Sequence, residues 1–214
     1  AEWKEYSHVN TERFEGYWQK DKPYLDKLVF RIIPDPTVRN VAMTTGETDF
    51  TYEIAASDLT AARSNANLKV VDGLGLGVNI AYQDTTRPPL DNKALRQAIA
   101  YAVDREAMMK TVFFGLGQVP SCVIPPSQWA FDPSLKGYTY DPAKAKEKLR
   151  EGGKPDGFKF TALVSTVPEY TRMNEVLKDH LSKVGIEMEI KMMETAAASK
   201  LFVEHAPEFT SYPI

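Results

Sequence analysis

The residue types that most often bind metal are sparse and scattered in this chain of 214 residues. The three histidines, at positions 8, 180 and 205, form no metal-ligating pattern such as His-Glu-x-x-His. His180 lies beside Lys178 and Asp179, which predicts a solvated helix face rather than a site. We therefore expect no metal site and no cofactor.

Nucleophilic catalysis also lacks a supporting pattern. Cys122 is the only cysteine, which excludes an internal disulfide and a Cys-x-x-Cys site. No histidine lies near Cys122 in sequence, and the Gly-x-Ser-x-Gly motif is absent. A nucleophilic role for Cys122 is therefore unsupported. We expect a protein without catalytic residues, which is not an enzyme.

A glycine-rich stretch is the one feature that suggests a nucleotide. Gly73, Gly75 and Gly77 alternate with leucine, and such a loop can offer backbone N–H groups to a phosphate. The dinucleotide motif, however, needs Gly-x-Gly-x-x-Gly at the start of a helix, and here a β-like run follows. A bulged or flexible connection is favoured. A nucleotide-binding enzyme that uses Gly73 to Gly77 stays open as the alternative function.

Aromatic side chains give the stronger indication of a ligand site. Trp129, Tyr138 and Tyr140 lie in a proline-rich loop at residues 118–140, and Tyr82 ends a predicted strand. Loop aromatics can stack on a ligand, but packing into the protein as a plug is the favoured interpretation. A second alternative is an interaction module in which this loop docks a protein partner.

The composition is that of an ordinary soluble globular protein. There are 26 Lys and Arg against 29 Asp and Glu, and 43% of the residues are hydrophobic. The absence of a basic cluster predicts no nucleic-acid partner. No apolar run approaches the roughly 20 residues of a membrane span.

The first 82 residues predict a β-rich α/β piece. The patterns predict a well-buried strand over 27–33, a helix over 37–45, a helix over 58–63 capped by Ser57, and strands over 68–71 and 78–82. Gly46 is placed to end the first of these helices.

Beyond Pro88-Pro89 the pattern changes to longer helices and a βαβ unit. Asp91 is the predicted N-cap of one helix, which Asp104 restarts or continues as far as Gly115, and Asp141-Pro142 opens another that ends at Gly152-Gly153. Alternating residues at 158–164 and 186–192 flank a helix that stops at Gly185. This pattern predicts two parallel strands joined by a right-handed crossover.

Several motifs, taken in order, resemble one family: the family 5 extracellular solute-binding proteins, which are the peptide and nickel type receptors of ABC importers. The motifs are Phe14-Glu15-Gly16-Tyr17-Trp18, Lys22-Pro23-Tyr24-Leu25-Asp26 with the apolar run up to Pro34-Asp35, Gly46-Glu47-Thr48-Asp49, Arg87-Pro88-Pro89-Leu90-Asp91-Asn92, Leu95-Arg96-Gln97-Ala98 through Glu106, Pro125-Pro126 with Trp129, and Tyr140-Asp141-Pro142-Ala143-Lys144.

The resemblance implies a two-lobed α/β architecture of the periplasmic-binding-protein type II class, family 5 cluster, of which this chain is an incomplete part. Residues 1–82 would form the second segment of lobe 1, and residues 83–214 the first part of lobe 2. Most of the family's ligand contacts would lie outside this chain, so the resemblance gives few ligand-binding candidates here. They are Tyr82, Gln83 and Trp129. Strands whose partners lie outside it are expected to leave apolar faces uncovered.

The resemblance also implies a function and partners. The protein would capture peptides or similar small solutes outside the cytoplasmic membrane and deliver them to the membrane subunits of an ABC permease. It would reside in the periplasm or the extracellular space, either free or anchored by lipid. We expect the full-length protein to be a monomer.

Overall fold

The computed structural model describes residues 1–52, 54–204 and 211–213, the last three by their backbone alone. The chain divides into two compact units, Ala1–Val71 and Asp72–Ile214. The predicted lobe boundary after residue 82 falls inside the second unit, so the assignment of lobes stays a prediction.

The first unit consists of a small antiparallel sheet followed by short helices. Its sheet has the order β1-β2-β3. The elements are β1 (Glu2–Lys4), β2 (His8–Glu12), β3 (Lys27–Arg31), α1 (Pro36–Thr44), a 3-10 turn (Ala56–Asp58) and α2 (Leu59–Ser64).

Strand β3 forms as predicted, but the prediction that it is well buried is wrong. All five of its residues are exposed, including Leu28 at 41% and Phe30 at 53%. The strand's principal contacts among the described residues are with β2, at its edge. Edge pairing satisfies backbone hydrogen bonds without covering either face of the strand, so apolar composition alone did not ensure burial.

Local signals set the ends of α1. The Asp35 carboxylate accepts hydrogen bonds from the amides of Thr37 and Val38 at 2.8 and 3.0 Å. Pro36 occupies the first turn, and Gly46 follows the helix with a φ of 77°. The predicted helix and its glycine stop are therefore confirmed.

Three other predictions for this part of the chain are wrong. Ser57 does not cap α2, because its hydroxyl donates to the Asp58 carboxylate, at 3.2 Å, within the 3-10 turn. Residues 68–71 and 78–80 are not strands. Only Ala81–Gln83 pairs, so a β-favouring composition did not extend the strand beyond its partner.

The second unit has a four-stranded mixed sheet with the order β4-β7-β5-β6. Strands β5 and β6 are parallel, and β4 runs antiparallel to β7. This confirms the α/β class and the βαβ unit. The elements are β4 (Ala81–Gln83), α3 (Lys93–Ala102), α4 (Arg105–Val112), α5 (Pro142–Glu151), β5 (Lys159–Ser165), α6 (Pro168–Ser182), β6 (Glu187–Met193), α7 (Thr195–Val203) and β7 (Ser211–Pro213).

The core of the second unit lies between its sheet and helices α3, α5 and α6. Its fully buried members include Leu95, Leu149, Val164, Leu181 and Ile186. On the other face of β5, Leu163 packs against α7, a helix that the sequence patterns did not predict. The sheet therefore has helices on both faces, as in other α/β folds.

Side-chain caps begin the helices of this unit. The carboxylates of Asp104 and Asp141 accept from the amides of Ala107 and Lys144, each at 2.9 Å, which confirms the predicted Asp141 cap and shows that a new helix begins after Asp104. For α3 the predicted cap is wrong by one residue. Asn92, not Asp91, accepts from the Ala94 amide at 2.9 Å. No helix in the described ranges combines the length and apolar character that crossing a membrane requires.

Candidate functional site

A cavity of about 530 Å³ lies within the second unit. Helices α3, α4 and α6 line it with apolar side chains such as Ile99, Met108 and Leu177. The rest of its lining comes from the glycine-rich segment and from the start of the proline-rich loop. The cavity is thus mainly apolar, with a few polar groups among its lining residues, which is the usual character of small-molecule sites.

Two hydrogen bonds join the proline-rich loop to the glycine-rich segment. The Ser127 hydroxyl donates to the carbonyl of Gly75 at 2.8 Å, and the Gln128 amide donates to the carbonyl of Leu76 at 3.2 Å. The glycine-rich segment here presents carbonyl oxygens to the loop, and it leads into β4 rather than into a helix. It therefore lacks the strand-loop-helix geometry on which the nucleotide alternative depends.

Arg105 is the cationic residue among the described residues that line the cavity. One of its Nη atoms donates to the carbonyls of Ala100 and Tyr138, both at 3.1 Å. Burial lowers the pKa of the guanidinium from its ordinary value, because desolvation disfavours the charged form. Arg105 thus fixes the proline-rich loop to the end of α3, a role that sequence reasoning missed.

The predicted ligand residues Tyr82 and Gln83 face different surroundings. Gln83 is half-buried and lines the cavity. Tyr82 is 41% exposed, and its ring packs at 5.2 Å from that of Phe202 in α7. Successive side chains of a strand point to opposite faces, so the two residues do not converge on one point.

The third candidate, Trp129, does not line the cavity. Its side chain is 96% exposed and lies on a turn closed by two backbone hydrogen bonds, from Gln128 to Pro125 and from Phe131 to Gln128. The structure therefore presents Trp129 to solvent on an ordered turn, so the favoured interpretation that it packs into the protein is wrong for this residue.

Two other loop aromatics make contacts with helices of the second unit but do not form a buried plug, since Tyr138 is 44% and Tyr140 43% exposed. The Tyr138 ring lies edge-on to that of Tyr101 at 5.0 Å, and its hydroxyl accepts from Gln97 at 3.3 Å. The Tyr140 ring lies 6.3 Å from His180.

The prediction that His180 lies on a solvated helix face is wrong, because its side chain is buried, with only 8% exposed. The neighbours Lys178 and Asp179 suggested a polar surface, but adjacent helical residues point in different directions. The useful signal was the spacing of His180 from Met173 and Leu177, which places it on the buried face of α6.

The described residues offer little for catalysis. Cys122 is half-buried among the cavity-lining residues, and its sulfur lies 3.4 Å from the carbonyl of Ile124. Within residues 1–52, 54–204 and 211–213, no three His, Cys, Asp or Glu side chains group to hold a metal ion. His205 lies outside the described residues.

An α/β fold with a mainly apolar cavity is suited to binding a small molecule. The family model of the bacterial extracellular solute-binding proteins, family 5 Middle, matches residues 1–209, so the chain belongs to that family. The resemblance inferred from the ordered motifs is confirmed.

Relatives and solved structures agree with this assignment. The glutathione-binding protein GsiB of Salmonella paratyphi A is 33% identical over 194 residues, which are 90% of this chain and 38% of that protein. The dipeptide-binding protein of Pseudoalteromonas sp. SM9913, solved with Met-Leu, is 28% identical with a TM-score of 0.86. The periplasmic binding protein DppA of Helicobacter pylori, solved with the peptide STSA, is 27% identical with a TM-score of 0.88.

Both structural matches cover all of this chain but only 42% and 41% of the solved chains. The chain therefore spans about two fifths of the length of the proteins that it matches.

Proposed function

We propose that this chain forms part of the receptor of an ABC importer, which captures peptides or similar small solutes and delivers them to the permease. The observation that carries the proposal is the match of the whole chain to two binding proteins that were solved with peptides. Members of this family bind solutes for transport and are not enzymes, so the proposal involves no catalytic step.

The proposed location is the periplasm or the extracellular space, where the protein would be free or anchored by lipid. The family description, extracellular, supports this location. We further propose that residues 1–82 belong to lobe 1 and residues 83–214 to lobe 2, and that the full-length protein is a monomer. Size-exclusion chromatography with light scattering would test the monomer, and a dimeric mass would contradict it.

Gln83, Tyr82 and Trp129 remain the proposed ligand contacts in this chain. The amide of Gln83 can donate to a peptide carbonyl and accept from a peptide N–H, and it lies among the polar groups of the cavity lining. The Trp129 ring offers a large exposed face to an apolar or aromatic side chain. The Tyr82 hydroxyl, on the opposite face of β4, would supply a separate polar contact.

Calorimetric unfolding of the full-length protein with a panel of solutes tests the function. We expect a dipeptide, a tripeptide such as glutathione, or a longer peptide to raise the unfolding temperature, because a ligand that binds only the folded state stabilises it. A sugar and ATP serve as controls. Stabilisation by ATP alone, or by no solute, would contradict the proposal.

The contact residues are tested separately by titration calorimetry with the stabilising peptide. Gln83→Ala should weaken binding about tenfold, which corresponds to the loss of roughly one hydrogen bond. Gln97→Ala is the matched control, since Gln97 binds the Tyr138 hydroxyl and does not line the cavity. Equal affinities for the two variants would remove Gln83 from the site.

A further inference from the structure

A buried histidine lies on α6, a helix that packs against α4. His180 belongs to the last turn of α6, and its ring packs against Tyr140, the residue before the cap of α5. Asp104, the cap of α4, is close enough to act on it electrostatically. The imidazole of α6 therefore contacts the segment that leads into α5, and its helix packs against α4.

The ring is held in surroundings that suit its neutral form. Only 8% of the side chain is exposed, and Nδ1 is buried with no hydrogen-bond partner among the described residues. The Tyr140 ring, tilted by 34° at a centroid distance of 6.3 Å, covers it with aromatic surface. A proton added to this ring would place a positive charge in a largely desolvated position.

The surrounding charges do not outweigh this burial. Asp104 and Asp179 favour the cation, while Lys183 opposes it; Tyr140 is the remaining titratable group that packs on the ring. Lys183 is itself bound to Asp179 at 2.6 Å, which lessens the pull of that carboxylate. Desolvation is the largest influence and lowers the pKa of His180 below its ordinary value.

We propose that His180 is a proton-sensitive contact, which holds α6 against the Tyr140 segment and the start of α4 when neutral and loosens them when protonated. The inference concerns the second unit itself and does not depend on which solute the protein binds.

The direction of the pH effect follows from linkage. The unfolded chain takes up a proton on His180 at about pH 6.5, whereas the folded state resists it. The folded state therefore binds fewer protons below that pH. The stability that the neutral His180 contributes is therefore fully present above about pH 6.5 and is lost as the medium becomes more acidic.

Thermal unfolding at a series of pH values tests the proposal. Between pH 7.5 and 5.5, the unfolding temperature of the second unit should fall by about 3 °C more in the unmodified chain than in His180→Gln. His8→Gln is the matched control, because His8 lies in β2 of the first unit, and it should keep the full pH dependence. Equal pH profiles for His180→Gln and the unmodified chain would overturn the proposal.

A second measurement needs no variant and applies even if His180→Gln does not fold. In an NMR titration of the unmodified chain, the assigned ring protons of His180 should titrate below pH 6.5. The amides of Ala107 and Lys144, which the caps of α4 and α5 hold, should lose protection from exchange over the same pH range. A midpoint at or above 6.5, or unchanged protection, would overturn the proposal.

Discussion

Strand β3 in the first unit and strand β5 in the second are both rich in apolar residues, yet their surroundings differ. All five residues of β3 are exposed, whereas Ala162 and Val164 of β5 are completely buried. Strand β5 has strands on both sides and helices on both faces, while β3 has its principal contacts with β2. Elements that cover a strand, rather than its own composition, decide how much it stabilises the fold.

Truncating a leucine in each unit should give the largest difference between them. Leu181→Ala removes a fully buried side chain of α6 and should lower the free energy of unfolding by about 2–5 kcal/mol. Leu28→Ala, in the exposed β3, should cost about 1 kcal/mol or less. Urea denaturation followed by circular dichroism measures both. Similar losses at the two sites would show that β3 is covered in solution.

Two glycines with positive φ, one in each unit, test whether the backbone is more crowded in the second unit than in the first. At Gly157, with a φ of 94°, an added Cβ would overlap the carbonyl of Gly185, the residue that ends the turn before β6. Gly157→Ala should therefore cost roughly 2–4 kcal/mol, from backbone strain and steric overlap. Gly46→Ala, after α1 at a φ of 77°, meets open space and should cost about 1 kcal/mol. Chemical denaturation gives both values, and a Gly46 cost equal to that at Gly157 would be inconsistent with the open surroundings.

The smallest effect, and no difference between the units, is expected at helix caps. Asp35→Ala removes two hydrogen bonds to amides at the start of α1, and Asp141→Ala removes one at the start of α5. Each should cost about 1 kcal/mol, because a cap acts on its own first turn whatever covers the helix. Asp91→Ala is the control, since Asn92 caps α3. Caps that differed by several kcal/mol would show that the contrast between the units extends to local structure.

Features set by local chemistry could be predicted from the sequence. Asp35, Asp104 and Asp141 each cap a helix, because a short carboxylate reaches amides two or three residues ahead in any context. The βαβ unit followed from alternating apolar residues around a helical pattern, and its strands pair in parallel, with Lys159 opposite Glu187. Both signals lie within a short stretch of chain.

Features set by contacts between distant parts of the chain could not be predicted from the sequence. The exposure of β3 depends on what covers the strand, and the end of β4 depends on the extent of β7. The spacing of α6 indicates the burial of His180, but it does not show that Tyr140, 40 residues earlier, packs on the His180 ring. The candidate site likewise depends on distant contacts, since Arg105 and Leu177 line one cavity only because α4 and α6 pack together. Gln83 was found through resemblance rather than through any local pattern.

The two hydrogen bonds from Ser127 and Gln128 to the glycine-rich segment have a mechanical consequence. They join the turn that bears Trp129 to the chain that leads into β4, although the bonded residues are 52 positions apart in sequence. Displacing the Trp129 turn without residues 75 and 76 would break both bonds, at a cost of roughly 1 kcal/mol each. A shift of the Trp129 turn that keeps these bonds therefore also shifts residues 75 and 76, which precede β4 in the chain.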